Sequence, residues 1–284
     1  MAASLAADSS ATPAIGAQVT GAATHDARIR QCRAAFAPRP PVWTGVSGFV
    51  DIHCHLLSGL DDGPADEDAS LQLAAAAHAG GTAAIVATPH RSFRFPFRHD
   101  DVQRGLKRLE QLFPGDLALF TGCELEINDE SLREFFASPE GFTLNQGHYV
   151  LIELMGQSCP PNFDQVLRNF RERGYWPILA HPERYPQVHT QPRRLSAWRE
   201  RGCLFQITAA SLTGRMGRRA QSAACAMLRE GLADFVASDA HDATKRPPQL
   251  LDGFRIASQI AGTSKAGRLF TYNPLAVLHD QPLE

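Results

Sequence analysis

Short apolar runs alternate with helical patterns along the chain from residue 49 onward. Seven runs are rich in β-branched and aromatic residues and are predicted as strands: 49–55, 82–90, 117–127, 149–154, 176–182, 203–208 and 233–241. Between most of them, apolar residues recur at helical spacing, over 66–79, 100–112, 163–173, 191–201, 217–230 and 248–260. Strands that alternate with helices are typical of repeated βα units, so the predicted fold class is α/β, with a parallel sheet or barrel.

The first 47 residues have a different composition, rich in Ala, Ser, Thr and Pro, and their last part, APRPPVWTG, is typical of an irregular connector. We therefore predict a flexible leader over 1–47 and one domain over 48–284. A chain of 284 residues is long enough for one α/β barrel, which commonly needs about 200–250 residues.

Composition and charge exclude several classes of protein. A net charge of -2 with 20% charged residues gives no field strong enough to attract nucleic acid. The six cysteines contain no C-x-x-C pair, so neither a zinc knuckle nor a disulfide framework is indicated, and a cytoplasmic location fits best. No window approaches the roughly 18 apolar residues of a membrane span, so we do not expect an integral membrane protein.

Residues of metal-ligand type end six of the seven predicted strands. His53 and His55 share one face because side chains alternate along a strand, and Cys54 points to the other face. In an α/β barrel the C-terminal strand ends build the active site. The candidate ligands at these ends and in the loop after the first strand are His53, His55, Asp62, His90, Glu124, Glu153, His181, Asp239 and His241.

This set predicts a metal centre, although a lone histidine at a strand end is more often a capped or water-bonded surface residue than a ligand. Unpaired burial would cost several kcal/mol for each polar group, and divalent cations would satisfy them together. Nitrogen and oxygen donors without thiolate favour Mn²⁺, Zn²⁺ or Fe²⁺ over Ca²⁺. Nine ligands exceed one site and Glu124 can bridge, so two or three ions are expected. Arg184 and Arg246 lie close by in the sequence and suggest phosphate binding.

The chain resembles the polymerase and histidinol phosphatase superfamily, and specifically its branch of manganese-dependent bacterial protein-tyrosine phosphatases of capsule and exopolysaccharide synthesis. The resemblance is collinear from Phe49 to LFTYNP near the C-terminus. It rests on the segments DIHCHLLSGLDDGP, ATPH, GCELEI, LIEL, LAHPERY, QITAASLTG and VASDAHDATKRPP. The long leader and the loop RSFRFPFRHD, rich in Phe and Arg, depart from the branch.

The resemblance implies a distorted (β/α)7 barrel, similar to a TIM barrel, that holds three metal ions, Mn²⁺ first and Fe²⁺ or Zn²⁺ as alternatives. The nine candidate ligands would hold the ions, and Arg184 and Arg246 would lie near the phosphate. The implied reaction is hydrolysis of phosphotyrosine on a protein, such as the tail of a bacterial tyrosine autokinase, by hydroxide that the metal activates. His241 or Asp62 would act as general acid.

Two alternatives to this function stay open at the sequence level. One is a small-molecule phosphomonoesterase, such as a histidinol-phosphate phosphatase, and the other is a non-catalytic regulator of polysaccharide assembly whose metals brace the fold. A cysteine phosphatase is excluded, because it needs an Arg six positions after its Cys and no cysteine has one. An amidohydrolase usually needs a strand-ending Lys, which is absent. Recruitment to a membrane kinase is compatible with a cytoplasmic protein.

Overall fold

The predicted strand runs are present, but two of them break in the middle, so seven runs form nine strands. The computed structural model describes residues 48–154, 156 and 159–283, and the predicted leader over 1–47 lies outside the described residues. Every described residue belongs to the compact unit Pro38–Glu284. The strands are β1 (Phe49–Cys54), β2 (Thr82–Ala87), β3 (His90–Arg91), β4 (Ala118–Thr121), β5 (Glu124–Ile127), β6 (Tyr149–Leu154), β7 (Trp176–Ala180), β8 (Leu204–Thr208) and β9 (Phe235–Ala237).

Each break has a local cause. The run 82–90 divides between β2 and β3 at Pro89, which has no N–H to donate to a strand ladder. The run 117–127 divides between β4 and β5 at Gly122, where a side chain would come within 2.6 Å of Val86 Cγ1. Other parts of the same chain therefore lie close to the backbone of Gly122, and such close approach is a usual reason for glycine inside a strand.

All strand pairs are parallel, and they form two sheets with the orders β1-β2-β4 and β3-β5-β6-β7-β8-β9. The two breaks mark the points where the chain passes from the first sheet to the second. In the described chain, β1 and β9 share one isolated bridge, between Cys54 and Ala240, and a hydrogen bond from Asp239 N–H to His53 O of 2.9 Å. The predicted α/β class is confirmed, but no continuous ladder closes the barrel.

Helices cover the strands, and all six predicted ones are present within a few residues of their predicted bounds. They are Glu67–Ala79, His99–Leu112, Phe163–Glu172, Arg193–Glu200, Arg218–Glu230 and Leu250–Ala261. No helix in the described part of the chain is long and apolar enough to cross a membrane. The α-helices are α1 (Glu67–Ala79), α2 (His99–Leu112), α3 (Asp129–Ala137), α4 (Phe163–Glu172), α5 (Pro186–Thr190), α6 (Arg193–Glu200), α7 (Ala209–Leu212), α8 (Arg218–Glu230), α9 (Leu250–Ala261), α10 (Thr263–Gly267) and α11 (Asn273–Leu278).

Local signals set the ends of several helices. Asp66 caps α1 by accepting the N–H of Ala69 at 2.9 Å, and Gly231 ends α8 with a φ of 73° that favours glycine. Helix α3 was not predicted. Its N-cap is Asn128, whose side chain and that of Ser131 form a reciprocal capping box. This cap is the signal that could have identified α3.

Apolar side chains pack between the strands and the helices that cover them. The largest apolar cluster includes Phe135, Phe170 and Phe205. Another cluster contains Cys54 together with Leu73 of α1, in agreement with the prediction that the Cys54 thiol packs away from the histidine face. The packing therefore holds the strands in parallel, so that the residues at their C-terminal ends meet on one side of the molecule.

Candidate metal centre

All nine predicted ligands lie together, although His90 and Glu124 begin β3 and β5 instead of ending a strand, because the predicted runs 82–90 and 117–127 break just before them. They form four overlapping groups, and within each group the candidate ligand atoms lie within 4.8 Å of one another. The groups are His55, Asp62, His90 and His241; His53, His55 and Glu124; His53, His181 and Asp239; and His90, Glu124 and Glu153. The expected convergence of the predicted residues is therefore present, and none of the nine lies apart from the others.

Glu124, the first residue of β5, lies at the middle of the cluster and is fully buried. Its Oε2 lies 3.2 Å from His53 Nε2, 3.3 Å from His55 Nε2 and 3.1 Å from His90 Nδ1. Its Oε1 lies 3.1 Å from His181 Nε2. One carboxylate therefore faces four imidazoles, and both of its oxygens are placed where they could bind metal ions.

Two further side chains orient the histidines of β1. Gln206 Oε1 lies 2.8 Å from His53 Nδ1, and Asp61 Oδ2 lies 2.6 Å from His55 Nδ1. Both oxygens are acceptors here, so each Nδ1 donates and each Nε2 is the ring nitrogen left to face the cluster. The two Nε2 atoms lie 3.3 Å apart and face each other. This is how partners of ligating histidines fix the ring tautomer in metal sites.

The donor set fits divalent cations because its atoms do not satisfy one another. Glu124 Oε2 and His90 Nδ1 are buried and form no hydrogen bond with any described residue. A buried polar atom without a partner costs about 1–3 kcal/mol. Imidazole nitrogens and carboxylate oxygens without thiolate are ligands that Mn²⁺, Fe²⁺ and Zn²⁺ accept. Divalent cations bound between these atoms would accept their lone pairs and so compensate for the missing hydrogen bonds.

The candidate histidines differ in protonation: burial opposes the charged form of His53 and His55, but the neighbouring carboxylates raise the pKa of both rings, whereas two other rings have a lowered pKa. Burial and the nearby Arg184 guanidinium lower the pKa of His181 to about 4, and burial also lowers the pKa of His90. Both rings are therefore neutral near pH 7. Burial and the neighbouring Glu124 carboxylate raise the pKa of Glu153 to about 9, which reflects carboxylates crowded together without a cation.

Two of the predicted ligands have a backbone conformation that is unusual for residues other than glycine. His181, which follows β7, has a φ of 35°, and Asp239, which follows β9, has a φ of 52°. Such conformations cost about 1–3 kcal/mol each and cluster at functional sites. The chain thus turns sharply where these two strands end, and the turns bring both side chains to the cluster.

Asp239 connects the cluster to the two predicted arginines. Its Oδ1 lies 3.5 Å from His53 Nε2, while its Oδ2 lies 2.7 Å from Arg184 Nη1 and 2.8 Å from Arg246 Nη2. The guanidinium groups therefore lie beside the candidate metal positions, as predicted.

Asp62 and His241 lie at the open side of the cluster. Asp62 Oδ1 is 3.3 Å from His241 Nε2, and the Asp62 side chain is 50% exposed. The hydrogen bond from His241 holds the pKa of Asp62 below its usual range. Asp62 is thus adjacent to the cluster and accessible from solvent, whereas the His241 side chain is buried.

Sequence reasoning missed three residues that support the centre. The first is Asp61, because the sequence alone does not indicate whether Asp61 or its neighbour Asp62 orients His55. Gln206 was visible as a polar residue inside an apolar strand run. Glu183 accepts hydrogen bonds from Thr208 N–H at 2.9 Å and Ser211 Oγ at 2.7 Å. It thereby ties the turn that carries His181 and Arg184 to the end of β8.

Comparison with known proteins gives consistent matches over most of the chain. The family model for "Capsular polysaccharide synthesis, CpsB/CapC" matches residues 49–279. The chain is 30% identical to the tyrosine-protein phosphatase YwqE of Bacillus subtilis over 83% of the chain and 93% of YwqE. It is 34% identical to the putative tyrosine-protein phosphatase CapC of Staphylococcus aureus over 70% of the chain and 79% of CapC.

A solved structure matches the fold. It comes from work on YwqE of Bacillus subtilis and CpsB of Streptococcus pneumoniae, described as unique metal-dependent tyrosine phosphatases. The match has a TM-score of 0.76 and 29% identity, and it covers 83% of this chain and 96% of the solved one. The solved chain therefore shares the fold of this protein over most of the described residues.

Proposed function

The chain belongs to the CpsB/CapC family of capsular polysaccharide synthesis, and from this premise we propose that it is a metal-dependent phosphatase that hydrolyses phosphotyrosine on a protein. One observation carries the proposal. Nine nitrogen and oxygen donors converge around Glu124, and Asp239 joins them to two arginines. A cation cluster flanked by guanidinium groups suits a phosphoryl group, whose charge is spread over several oxygens.

The residues that would hold the ions are the nine of the four overlapping groups. Their number supports three ions, with Mn²⁺ as the first choice and Fe²⁺ or Zn²⁺ as alternatives. Divalent cations bound here would supply a water molecule acidified to a pKa of about 7 and would neutralise charge on the phosphoryl group. Glu124 is the proposed bridging ligand because both of its oxygens face imidazoles.

The chain's own residues perform the other tasks. Arg184 and Arg246 bind phosphoryl oxygens and orient the ester, since both guanidinium groups lie beside Asp239. His241 or Asp62 is the proposed source of the proton for the departing tyrosine oxygen, because Asp62 lies at the exposed edge of the cluster and His241 Nε2 lies beside it. The tyrosine hydroxyl has a pKa near 10, so a proton donor increases the rate of phenolate departure only modestly. No covalent intermediate is required.

The substrate and location are also part of the proposal. We propose that the substrate is the phosphotyrosine-bearing tail of a bacterial tyrosine kinase of capsule or exopolysaccharide synthesis, and that the enzyme is cytoplasmic and meets this kinase at the membrane. The names of the relatives support phosphotyrosine as the substrate class. Free thiols at the five described cysteines support a reducing compartment.

The test is a comparison of substrates with protein whose metal content is known. The protein is stripped with a chelator, reloaded separately with Mn²⁺, Fe²⁺ or Zn²⁺, and assayed with a phosphotyrosine peptide, the matching phosphoserine peptide and histidinol phosphate. We expect hydrolysis that is lost with the chelator, restored by metal and highest for phosphotyrosine.

Two other results would each favour an alternative. Preference for histidinol phosphate would indicate a small-molecule phosphomonoesterase. Tight metal binding without hydrolysis of any of the substrates would indicate a regulator in which the metals only brace the fold.

A further inference from the structure

A cavity of about 260 Å³ opens beside the candidate metal centre, between the loops that follow β8 and β9. This volume is close to the lower end of the range for small-molecule pockets, about 300–1,000 Å³. Arg184, Asp239 and Arg246 belong both to the cavity lining and to the centre. The cavity is therefore continuous with the proposed phosphoryl position and has room for another part of the substrate.

The lining of the cavity is basic. Four of its residues carry a positive charge, and Asp239 alone carries a negative one. Asp239 Oδ2 already contacts both Arg184 and Arg246. The other two cationic residues, Arg215 and Lys245, have no carboxylate opposite them in the cavity. The cavity thus keeps an excess of positive charge beyond the arginines that the proposed reaction uses.

Hydrogen bonding leaves this charge available to a ligand. Arg215 Nη1 donates to the neutral amide oxygen of Gln249 at 2.5 Å. The Lys245 ammonium has neither a hydrogen bond nor an ion pair with any described residue, and its side chain is exposed. The Nε–H of Arg246 is buried and likewise finds no acceptor within the described chain. An anion would satisfy these donors.

Hydrogen-bonded turns hold the backbone of Arg215 and of Lys245 in place. Asp242 Oδ1 accepts the N–H of Thr244 at 2.7 Å and the N–H of Lys245 at 2.5 Å, which holds the turn after β9. In the loop after β8, the N–H of Arg215 donates to Ala210 O at 3.0 Å. Because the backbone of both turns is already held in place, less conformational entropy is lost when a ligand binds.

We infer that Arg215 and Lys245 form a second anion subsite, which binds a negatively charged group of the substrate close to the phosphotyrosine. This inference rests on the proposed function. The group is a carboxylate side chain or a second phosphotyrosine of the same peptide. The subsite selects anionic phosphopeptides over neutral ones without taking part in the chemical step.

The test compares substrates that differ only in their charge next to the phosphotyrosine. The metal-loaded, full-length protein is assayed with p-nitrophenyl phosphate and with three peptides, in which the neighbours of the phosphotyrosine are neutral, glutamates or a second phosphotyrosine. An exposed ion pair contributes up to about a fivefold change in affinity. We therefore expect kcat/KM for the charged peptides to exceed that for the neutral peptide roughly tenfold, and the two charged peptides distinguish carboxylate from phosphate.

The double variant Arg215→Gln/Lys245→Gln isolates the subsite. We expect it to lose this preference and to keep the wild-type rate with p-nitrophenyl phosphate, which has no second group. The matched control is Arg219→Gln/Arg229→Gln, which removes two exposed charges of α8 that do not line the cavity. The control is expected to keep the preference.

A binding measurement separates this inference from the proposed function. Fluorescence anisotropy with phosphonate versions of the three peptides, which cannot be hydrolysed, reports the preference without turnover. Equal binding of charged and neutral peptides by the wild type would overturn the subsite, as would equal losses in both double variants. A preference in binding without hydrolysis of any substrate would support the subsite and overturn the proposed function.

Discussion

Strand β9 has an aspartate near each end, and the two carboxylates have opposite surroundings. Before the strand, Asp234 Oδ1 accepts from Arg199 Nη1 at 3.1 Å, and its Oδ2 accepts from Arg199 Nη2 and Phe205 N–H, both at 2.8 Å. After the strand, Asp239 Oδ1 faces the Nε2 atom of His53 at 3.5 Å. Its Oδ2 contacts Arg184 and Arg246, so Asp239 lies between the candidate ligands and the two arginines.

The difference shows what distinguishes the two ends of the strands. At the N-terminal end of β9 the protein itself provides a donor for each carboxylate oxygen of Asp234. At the C-terminal end only Oδ2 of Asp239 has hydrogen-bond donors, from the two arginines, while Oδ1 faces the imidazoles of the candidate centre, and the φ of 52° adds backbone strain. Only the second arrangement leaves a carboxylate oxygen free to bind a cation, and four experiments can test this difference between the two ends.

The largest expected effect follows removal of the histidines of β1. The double variant His53→Ala/His55→Ala is expected to lose metal and to reduce kcat/KM with a phosphotyrosine peptide roughly a thousandfold or more, because charge stabilisation in the transition state depends on the cations. Metal content and steady-state kinetics measure this result. Retained activity at full metal occupancy would show that these rings are not ligands.

Metal should stabilise the fold, because cations bind the assembled donors and not the unfolded chain. At a free Mn²⁺ concentration of 100 times Kd, the free energy of unfolding should rise by about 2.7 kcal/mol. Thermal unfolding with chelator and with Mn²⁺ measures the rise. Asp239→Asn is expected to diminish it, and an undiminished rise in that variant would contradict the assignment of Asp239 to the centre.

The other end of β9 should behave in the opposite way. Asp234→Asn is expected to lower the free energy of unfolding by about 2 kcal/mol, because Arg199 loses a partly buried charged partner. The stabilisation by Mn²⁺ and the activity of the folded protein should stay unchanged. Chemical denaturation with and without metal checks both points. If Asp234→Asn also removed the effect of the metal, the two ends of the strand would not be independent.

The smallest expected effect concerns a partner of a ligand. Asp61→Ala is expected to weaken metal affinity about 10- to 100-fold, since loss of the hydrogen bond frees the His55 ring to change its tautomer and orientation. Asp61→Asn should lose less, because its amide oxygen can still accept from His55 Nδ1. Asp68→Ala, which removes an exposed carboxylate of α1, is the control. Metal titration measures all three variants.

The sequence allowed the parallel α/β class and the nine donors of the candidate centre to be predicted. Strand periodicity places His53 and His55 on one face whatever the rest of the chain does. In parallel βα units, residues that end different strands meet on one side of the sheet. The breaks at Pro89 and Gly122 were missed, because the flanking residues read as one continuous β-rich run.

The residue types at the strand ends, their order and hence the choice of metal chemistry were determined by sequence alone, because side-chain alternation and parallel winding are local rules. Only the tertiary structure decided that Asp61 rather than Asp62 orients His55, that Gln206 orients His53, and that Arg215 and Lys245 line a basic cavity. These contacts join residues from separate loops and strands, and their geometry depends on how the whole set of strands and helices packs.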